Sequence, residues 1–517
     1  MATDVGPIRP VRPNRAPIGP IAALAAVAAA AFLTGAGPRP PLEVGPGSGF
    51  QTPTQAMVRP LKPDISVQAI LTVGDTLVPN DPDAYPYPYV FYPLPDGLGA
   101  RSIGSGLVEV YVTHEIGWQN GVGGARVSRL VLDKKTAGVL AGDYLVDGTE
   151  GYSRLCTATL VGPRDGFLTP TFLINEESLL GVNHGIVAAV DARDGTVTGL
   201  PWLGRFSHEA TIIVPTTSGG ITAIATEDAA MPGESQLYMY RAETDSDFLA
   251  GRGQLYVFRA EIPPGAPRTR TAALLSKSRS VGGRFVPLYL APTLFDNRRP
   301  DELEQLAQRA GCLNFVRLED AAPDRERSDS FYFIDTGNAD FPDPVLGRPV
   351  TSKGRLYRAS LDPIDPTIVR RIDVVLDGDE EDDLYRPDNL DSNADCLMIQ
   401  EDPGGRGIHP ARILRYDLRS RRLEAIAECA ERDTRGRLLP RGTGGGWETT
   451  GILDVSEIFG DDVWLLAVQA HTLESSPFGG RGGGGQLLLL NGPDSEPALR
   501  ARKDRAAREK RETDGKE

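Results

Sequence analysis

One pattern recurs six times along this chain: an apolar run meets an acidic residue or a histidine, and a second strand-like run follows after a loop. The runs end at His114, Glu176, Glu227, Asp335, Glu401 and His471. Segments such as Leu237-Tyr238-Met239-Tyr240 and Leu255-Tyr256-Val257-Phe258 are rich in strand formers and bounded by polar turns. No long helical period interrupts the middle of the chain, and 58 glycines and 42 prolines suit short strands joined by turns. The class reads as all-β. Regular strand groups at this spacing read as a β-propeller, whose blades need about 40–50 residues each before loop insertions. Six blades are expected. Seven stay open, because the interval from Glu227 to Asp335 is long enough to hold an extra blade or an insertion.

In a propeller, equivalent strands converge on one axis. Acidic strand ends in register would then crowd one mouth of the channel, where only cations make so much negative charge tolerable. Hard carboxylate ligands from several loops suit calcium. The simpler reading is that these residues are ordinary polar turns.

The N-terminus carries Arg9, Arg12 and Arg15, an apolar run over 21–33, and then Thr34-Gly35-Ala36. That order is expected of a signal peptide over residues 1–36, followed by a Pro-rich linker over 37–60, the propeller over 61–495 and a charged, disordered tail over 496–517. The mature chain would be secreted or periplasmic, with no integral membrane segment. A formal charge of −15 argues against nucleic acid as a partner. Cys156, Cys312, Cys396 and Cys429 are far apart, which excludes a zinc knuckle and leaves either disulfides or a lone functional thiolate.

Several ordered motifs carry more. They are Pro95-Asp96-Gly97-Leu98, His114-Glu115-Ile116-Gly117, Cys156, Glu176-Glu177, and Leu203-Gly204-Arg205-Phe206-Ser207-His208-Glu209-Ala210. Thr226-Glu227-Asp228, Arg317-Leu318-Glu319-Asp320 and Pro387-Asp388-Asn389-Leu390 follow in order. Over roughly residues 95–492 the chain resembles the PhoX family of secreted alkaline phosphatases and its phytase-like propeller relatives. The resemblance implies a phosphomonoesterase with a mixed iron and calcium (Fe3+, Ca2+) cluster and a small phosphomonoester substrate, acting as a monomer. Cys156 would be the thiolate ligand to iron. Glu176 or Glu177, Glu209, Glu319 and Asp388 would be carboxylate ligands, with Glu115 and Asp228 as further calcium candidates. Arg317 would face phosphate oxygens as the catalytic guanidinium. Thr113 stands where the family has an asparagine, tryptophans are missing before Glu176, and no twin-arginine pair precedes the apolar run.

Other residues allow two readings. His208 and His471 are either ligands or braces for a neighbouring carboxylate. His184 and His409 read as loop residues and Glu448 as a blade corner. The glycines around Arg481 read as a loop, and the acidic run over 377–383 as solvated. Two other functions stay open: a calcium-only phytase-like or phosphodiester hydrolase, and a non-catalytic calcium-stabilised propeller that binds a carbohydrate or protein. Cys156 discriminates, since a thiolate among carboxylates calls for a transition metal.

Overall fold

The computed structural model describes residues 48–500 together with residues 42 and 503. The segments 79–87, 118–122, 230–234, 266–268, 291–299, 381–382, 405–408, 433–436, 440–444, 474–477 and 479–482 and residues 263 and 344 are outside the description. The expected signal peptide therefore lies outside the described residues. No helix among those described is long and apolar enough to cross a membrane.

The chain is all-β and its sheets are arranged like a propeller. Six strands form an inner ring: Pro95–Gly104, Leu155–Val161, His208–Ile213, Leu318–Pro323, Pro387–Ser392 and Glu448–Asp454. Each contacts the next in this order, and the last returns to the first. From each inner strand an antiparallel sheet runs outward through a second strand: Leu107–His114, Thr171–Glu176, Ile221–Glu227, Ser330–Asp335, Cys396–Glu401 and Val463–Ala470.

Apolar slabs fill the spaces between neighbouring sheets. Along Cys396–Glu401, Cys396 and Met398 pack toward the following sheet, while Leu397 and Ile399 pack toward the preceding one. Trp464 and Leu466 likewise face one neighbour, and Val463 and Leu465 the other. Strands covered on both faces read as continuous apolar runs instead of alternating ones. The six slabs follow one another around the ring.

Ring closure joins the two ends of the described chain. Ser66–Thr72 pairs with Gly484–Asn491 as the outermost strand of the last sheet. Val58–Pro60 adds an outer strand beside Leu423–Cys429. The expected linker thus joins the fold at its end, because its backbone satisfies an open sheet edge. At the other terminus residues 496–500 form a helical turn with Ala498 buried, so the expected disordered tail starts in ordered structure.

The long interval after Glu227 holds an insertion. Ser280–Leu288 pairs with Gln254–Ala260 on one side and Ile368–Asp377 on the other, which fuses the third and fourth sheets into nine strands. The helix Pro300–Ala310 caps the slab between the second and third sheets with Leu303 and Ala307.

All four cysteines are free and buried, so the disulfide reading fails. The acidic run over 377–383 is also less solvated than expected, because Asp377 is buried against Arg355 at 2.8 Å.

Leu71 sits fully buried in the closing strand. Leu71→Ala is expected to cost about 2–5 kcal/mol, read by urea denaturation. A loss well under 1 kcal/mol would put the N-terminal strand outside the cooperative fold.

Candidate metal centre

The inner strands do not pair evenly with their second strands. In the first sheet Pro95 faces His114 and Leu98 faces Val112, so Asp96 and Gly97 share the single partner Thr113. The same excess puts Cys156 and Thr157 against Asn175, Glu319 and Asp320 against Ile334, and Asp388 and Asn389 against Gln400. In the third sheet Glu209 alone is the extra residue. A bulge of this kind re-aims the side chains it carries. Five inner strands thus begin by turning an acid or thiol toward the axis, and Glu448 starts the sixth.

Backbone strain accompanies four of these bulges. Leu94, Arg154, Arg317 and Arg386, each just before an inner strand, have φ of 52°, 55°, 57° and 49°. Left-handed backbone costs a non-glycine residue about 1–2 kcal/mol and is kept where surrounding structure enforces it. Where inner strands pass closest, only glycine fits. A Cβ on Gly97 would lie 2.4 Å from the Ala158 nitrogen, and one on Gly451 would lie 2.0 Å from the Asp96 carbonyl oxygen.

A second tier comes from the residues that follow the second strands: Glu115, Glu177, Asp228, Asp402 and His471. Both tiers line one cavity of about 400 Å³, together with Arg154, Arg317, Gly404 and Gly446. Among the described residues its wall holds nine carboxylates, one thiol, two guanidiniums and one imidazole.

Ligand atoms within 4.8 Å of one another define four triads: Asp96, Glu115 and Cys156; Cys156, Glu177 and Glu209; Glu209, Glu319 and Asp388; and Asp388, Asp402 and Glu448. Each triad shares a residue with the next, through Cys156, Glu209 and Asp388 in turn. The Cys156 Sγ donates to Glu177 at 2.9 Å. Oδ1 of Asp96 is buried with no hydrogen-bond partner, which is costly unless a cation meets it. Hard oxygen donors with one soft thiolate fit a mixed set of metal ions.

Burial and mutual repulsion disfavour charge on these acids. Burial first, with neighbouring carboxylates adding, pushes Asp96, Glu209, Glu319 and Glu448 well above the usual range and raises the Cys156 thiol. Burial also raises Glu177 to about 8 and Asp388 to about 7. Burial acts upward on Glu115 too, but Arg154 and the Gln469 amide outweigh it and hold that carboxyl low. Arg154 bridges Glu115 at 2.6 Å and Glu177 at 2.5 Å. Arg317 grips Asp228 with two bonds, Nε at 3.1 Å and Nη2 at 2.8 Å, and Nη2 also lies 3.1 Å from Glu319.

The predicted site residues Arg317, Cys156, Glu177, Glu209, Glu319, Asp388, Glu115 and Asp228 all meet in this cavity. Glu176 does not. Its carboxylate accepts from the Ser153 and Gly185 amides at 3.0 and 2.9 Å, bracing the loop that follows.

The strand ends read as converging on the mouth are mostly internal braces. His114 holds Ser128 and the Pro93 carbonyl, Asp335 accepts from the Tyr357 hydroxyl, and Glu401 takes three bonds from Arg412, one from its backbone and two from its guanidinium. After His114, Glu176, Glu227 and Glu401 the residue one step further on reaches the cavity. His208 is buried away from it, stacked on Phe206. His471 lines it, 3.0 Å from Glu448.

Asp96, Asp402, Glu448 and Arg154 complete the site without having been predicted for it. Signals for three of them were present. Pro95-Asp96-Gly97-Leu98 repeats the form of Pro387-Asp388-Asn389-Leu390, and Glu401-Asp402 repeats Glu176-Glu177. Arg154-Leu155-Cys156 likewise repeats Arg317-Leu318-Glu319.

With this geometry in view, the comparisons are specific. The profile described as Alkaline phosphatase PhoX matches residues 142–406, just over half of the chain. The chain belongs to the PhoX family of alkaline phosphatases. It is therefore a hydrolase of the phosphatase class, and a metal-dependent one. The matched span contains all three shared residues, Cys156, Glu209 and Asp388, and leaves Asp96, Glu115, Glu448 and His471 outside it.

Among solved structures the chain is similar to Pseudomonas fluorescens PhoX in complex with vanadate, a transition state analogue. Identity is 15%, coverage is 87% of this chain and 99% of that one, and the TM-score is 0.59, which is a likeness of fold. A luciferin-regenerating enzyme (12% identity, 78% and 93% covered, TM-score 0.34) and a glycosyl hydrolase from Bacteroides ovatus (10%, 68% and 87%, TM-score 0.28) are more distant. No curated protein matches the sequence.

A carboxyl with a raised folded pKa binds its proton more tightly in the folded state. Its stabilising contribution is therefore full below the ordinary carboxylate range and is lost as pH rises through 7–8 for Asp388 and Glu177. The metal-free protein is expected to melt at falling temperature from about pH 5 to about pH 9. Added calcium should raise the melting temperature most at the upper end, where the ligands are deprotonated. Differential scanning fluorimetry checks both; a melting temperature that climbs with pH in the metal-free state would contradict the assignment.

Proposed function

We propose that the protein is an extracytoplasmic phosphomonoesterase that releases phosphate from organic esters with iron and calcium held in the four linked triads. The observation that carries this reading is the pair of carboxylates, Glu209 and Asp388, and the thiol that lines the cavity, Cys156, each shared between two triads. Cys156 would hold iron, and the purely carboxylate triads would hold calcium. Such cations would supply Lewis acidity, offsetting charge on the transferring phosphoryl group and lowering the pKa of water. The N-terminal order of basic, apolar and small residues supports export. The closed cycle of inner strands and the six slabs support a count of six blades.

The chain's own residues bind and orient. Asp228 and Glu319 occupy Nε and Nη2 of Arg317, which leaves Nη1 to donate to a phosphoryl oxygen in the cavity. The grip is two-pronged, so the guanidinium is held in place before substrate arrives. Arg154 does the same for Glu115 and Glu177, keeping two carboxylates from different triads at fixed separation. Among the described residues the lining contains only acidic, basic, thiol, imidazole and glycine groups.

Purified protein is expected to contain iron and calcium and to hydrolyse p-nitrophenyl phosphate until chelated. Arg317→Ala should lower kcat by about 10²–10³ with metal content kept, and Cys156→Ser should lose iron. Calcium alone with no turnover would overturn the phosphatase reading in favour of a calcium-stabilised binding protein.

A further inference from the structure

The bulges at Cys156, Glu319 and Asp388 each deliver one side chain to the cavity and carry a second side chain on the next residue. Thr157 follows Cys156, and Asn389 follows Asp388. They belong to the second and fifth inner strands, which stand opposite each other in the ring. Nonetheless Asn389 Nδ2 donates to Thr157 Oγ1 at 3.2 Å, and Thr157 Oγ1 donates onward to Oε1 of Glu209 at 3.0 Å.

The direction of this relay is set by chemistry. With Glu209 ionised as a metal ligand, the carboxylate only accepts and the hydroxyl has one proton, so Thr157 gives its proton to Glu209 and itself accepts from the Asn389 amide. Both residues are buried, and Asn175 holds the Thr157 carbonyl from the other side at 2.6 Å. The carboxylate at the end of the relay is the one common to the two middle triads. Below the bond the channel continues as a separate cavity of about 180 Å³, lined by Gly97, Thr157, Asp320 and Leu390 among others.

We infer that Asn389 and Thr157 are positioning residues, forming a cross-channel relay that fixes the Glu209 carboxylate between two metal triads and closes the channel beneath them. The inference rests on reading the triads as metal sites. A charge-assisted bond from a buried hydroxyl holds a carboxylate against rotation, and the opposed strand holds the hydroxyl.

The test is a calcium titration of metal-stripped Thr157→Val, Thr157→Ser, Asn389→Leu and the Val/Leu double variant, with melting curves of the stripped proteins as folding controls. The two isosteric single variants are expected to weaken calcium binding by about 10–100-fold. Thr157→Ser keeps the hydroxyl and should bind like the wild type. The double variant should be no worse than the weaker single, because both changes cut one relay.

Wild-type calcium affinity in Thr157→Val and Asn389→Leu would overturn the inference. So would failure of Thr157→Ser to rescue, additive loss in the double variant, or a wild type that binds no calcium. If Thr157→Val does not fold, Asn389→Leu carries the test. Phosphatase assays run separately: a wild type that binds calcium but hydrolyses no ester removes the proposed function and leaves the relay standing.

Discussion

Six strands that meet around one axis are too close together to keep regular pairing with their own sheets. The bulge at the start of the inner strands relieves that conflict and, by the same move, turns Asp96, Cys156, Glu209, Glu319 and Asp388 inward. The cavity depends on it. Without the extra residue each acid would alternate onto a sheet face, among the apolar side chains of a slab.

Such a site opposes folding. Left-handed backbone before four inner strands, an orphaned Asp96 oxygen and nine carboxylates in one wall all cost free energy. The opposing term lies in the six slabs between sheets, where strands such as Val463–Ala470 are buried on both faces. This division of labour assigns stability to the outward parts of the sheets and chemistry to their inner ends. It also links metal binding to stability, since cations on the triads relieve the repulsion that burial makes expensive.

Arginine and acid are arranged to keep geometry as well as neutrality. Arg154 and Arg317 each enter from the residue before an inner strand and each clamp carboxylates of the second tier. Their left-handed backbone points the side chain back over the mouth, where an extended residue would send it outward along the sheet. The lower tier does the complementary work from beneath, through Thr157 and Asn389.

Local chemistry alone was enough for the all-β class and the recurring strand ends, because apolar runs closed by an acid are legible without knowing their neighbours. Cys156, Glu209, Glu319 and Asp388 were reached through the resemblance to the PhoX family, carried by motifs that keep their order along the chain. Which member of each acidic pair reaches the cavity was not legible. Side chains alternate along a strand, so a shift of one residue exchanges an internal brace such as Glu401 for a cavity residue such as Asp402. That choice, the bond between Thr157 and Asn389 across the axis, and the closure by Ser66–Thr72 all join residues remote in sequence. Only the closing of the ring brings them into contact, and so only the tertiary structure decided them.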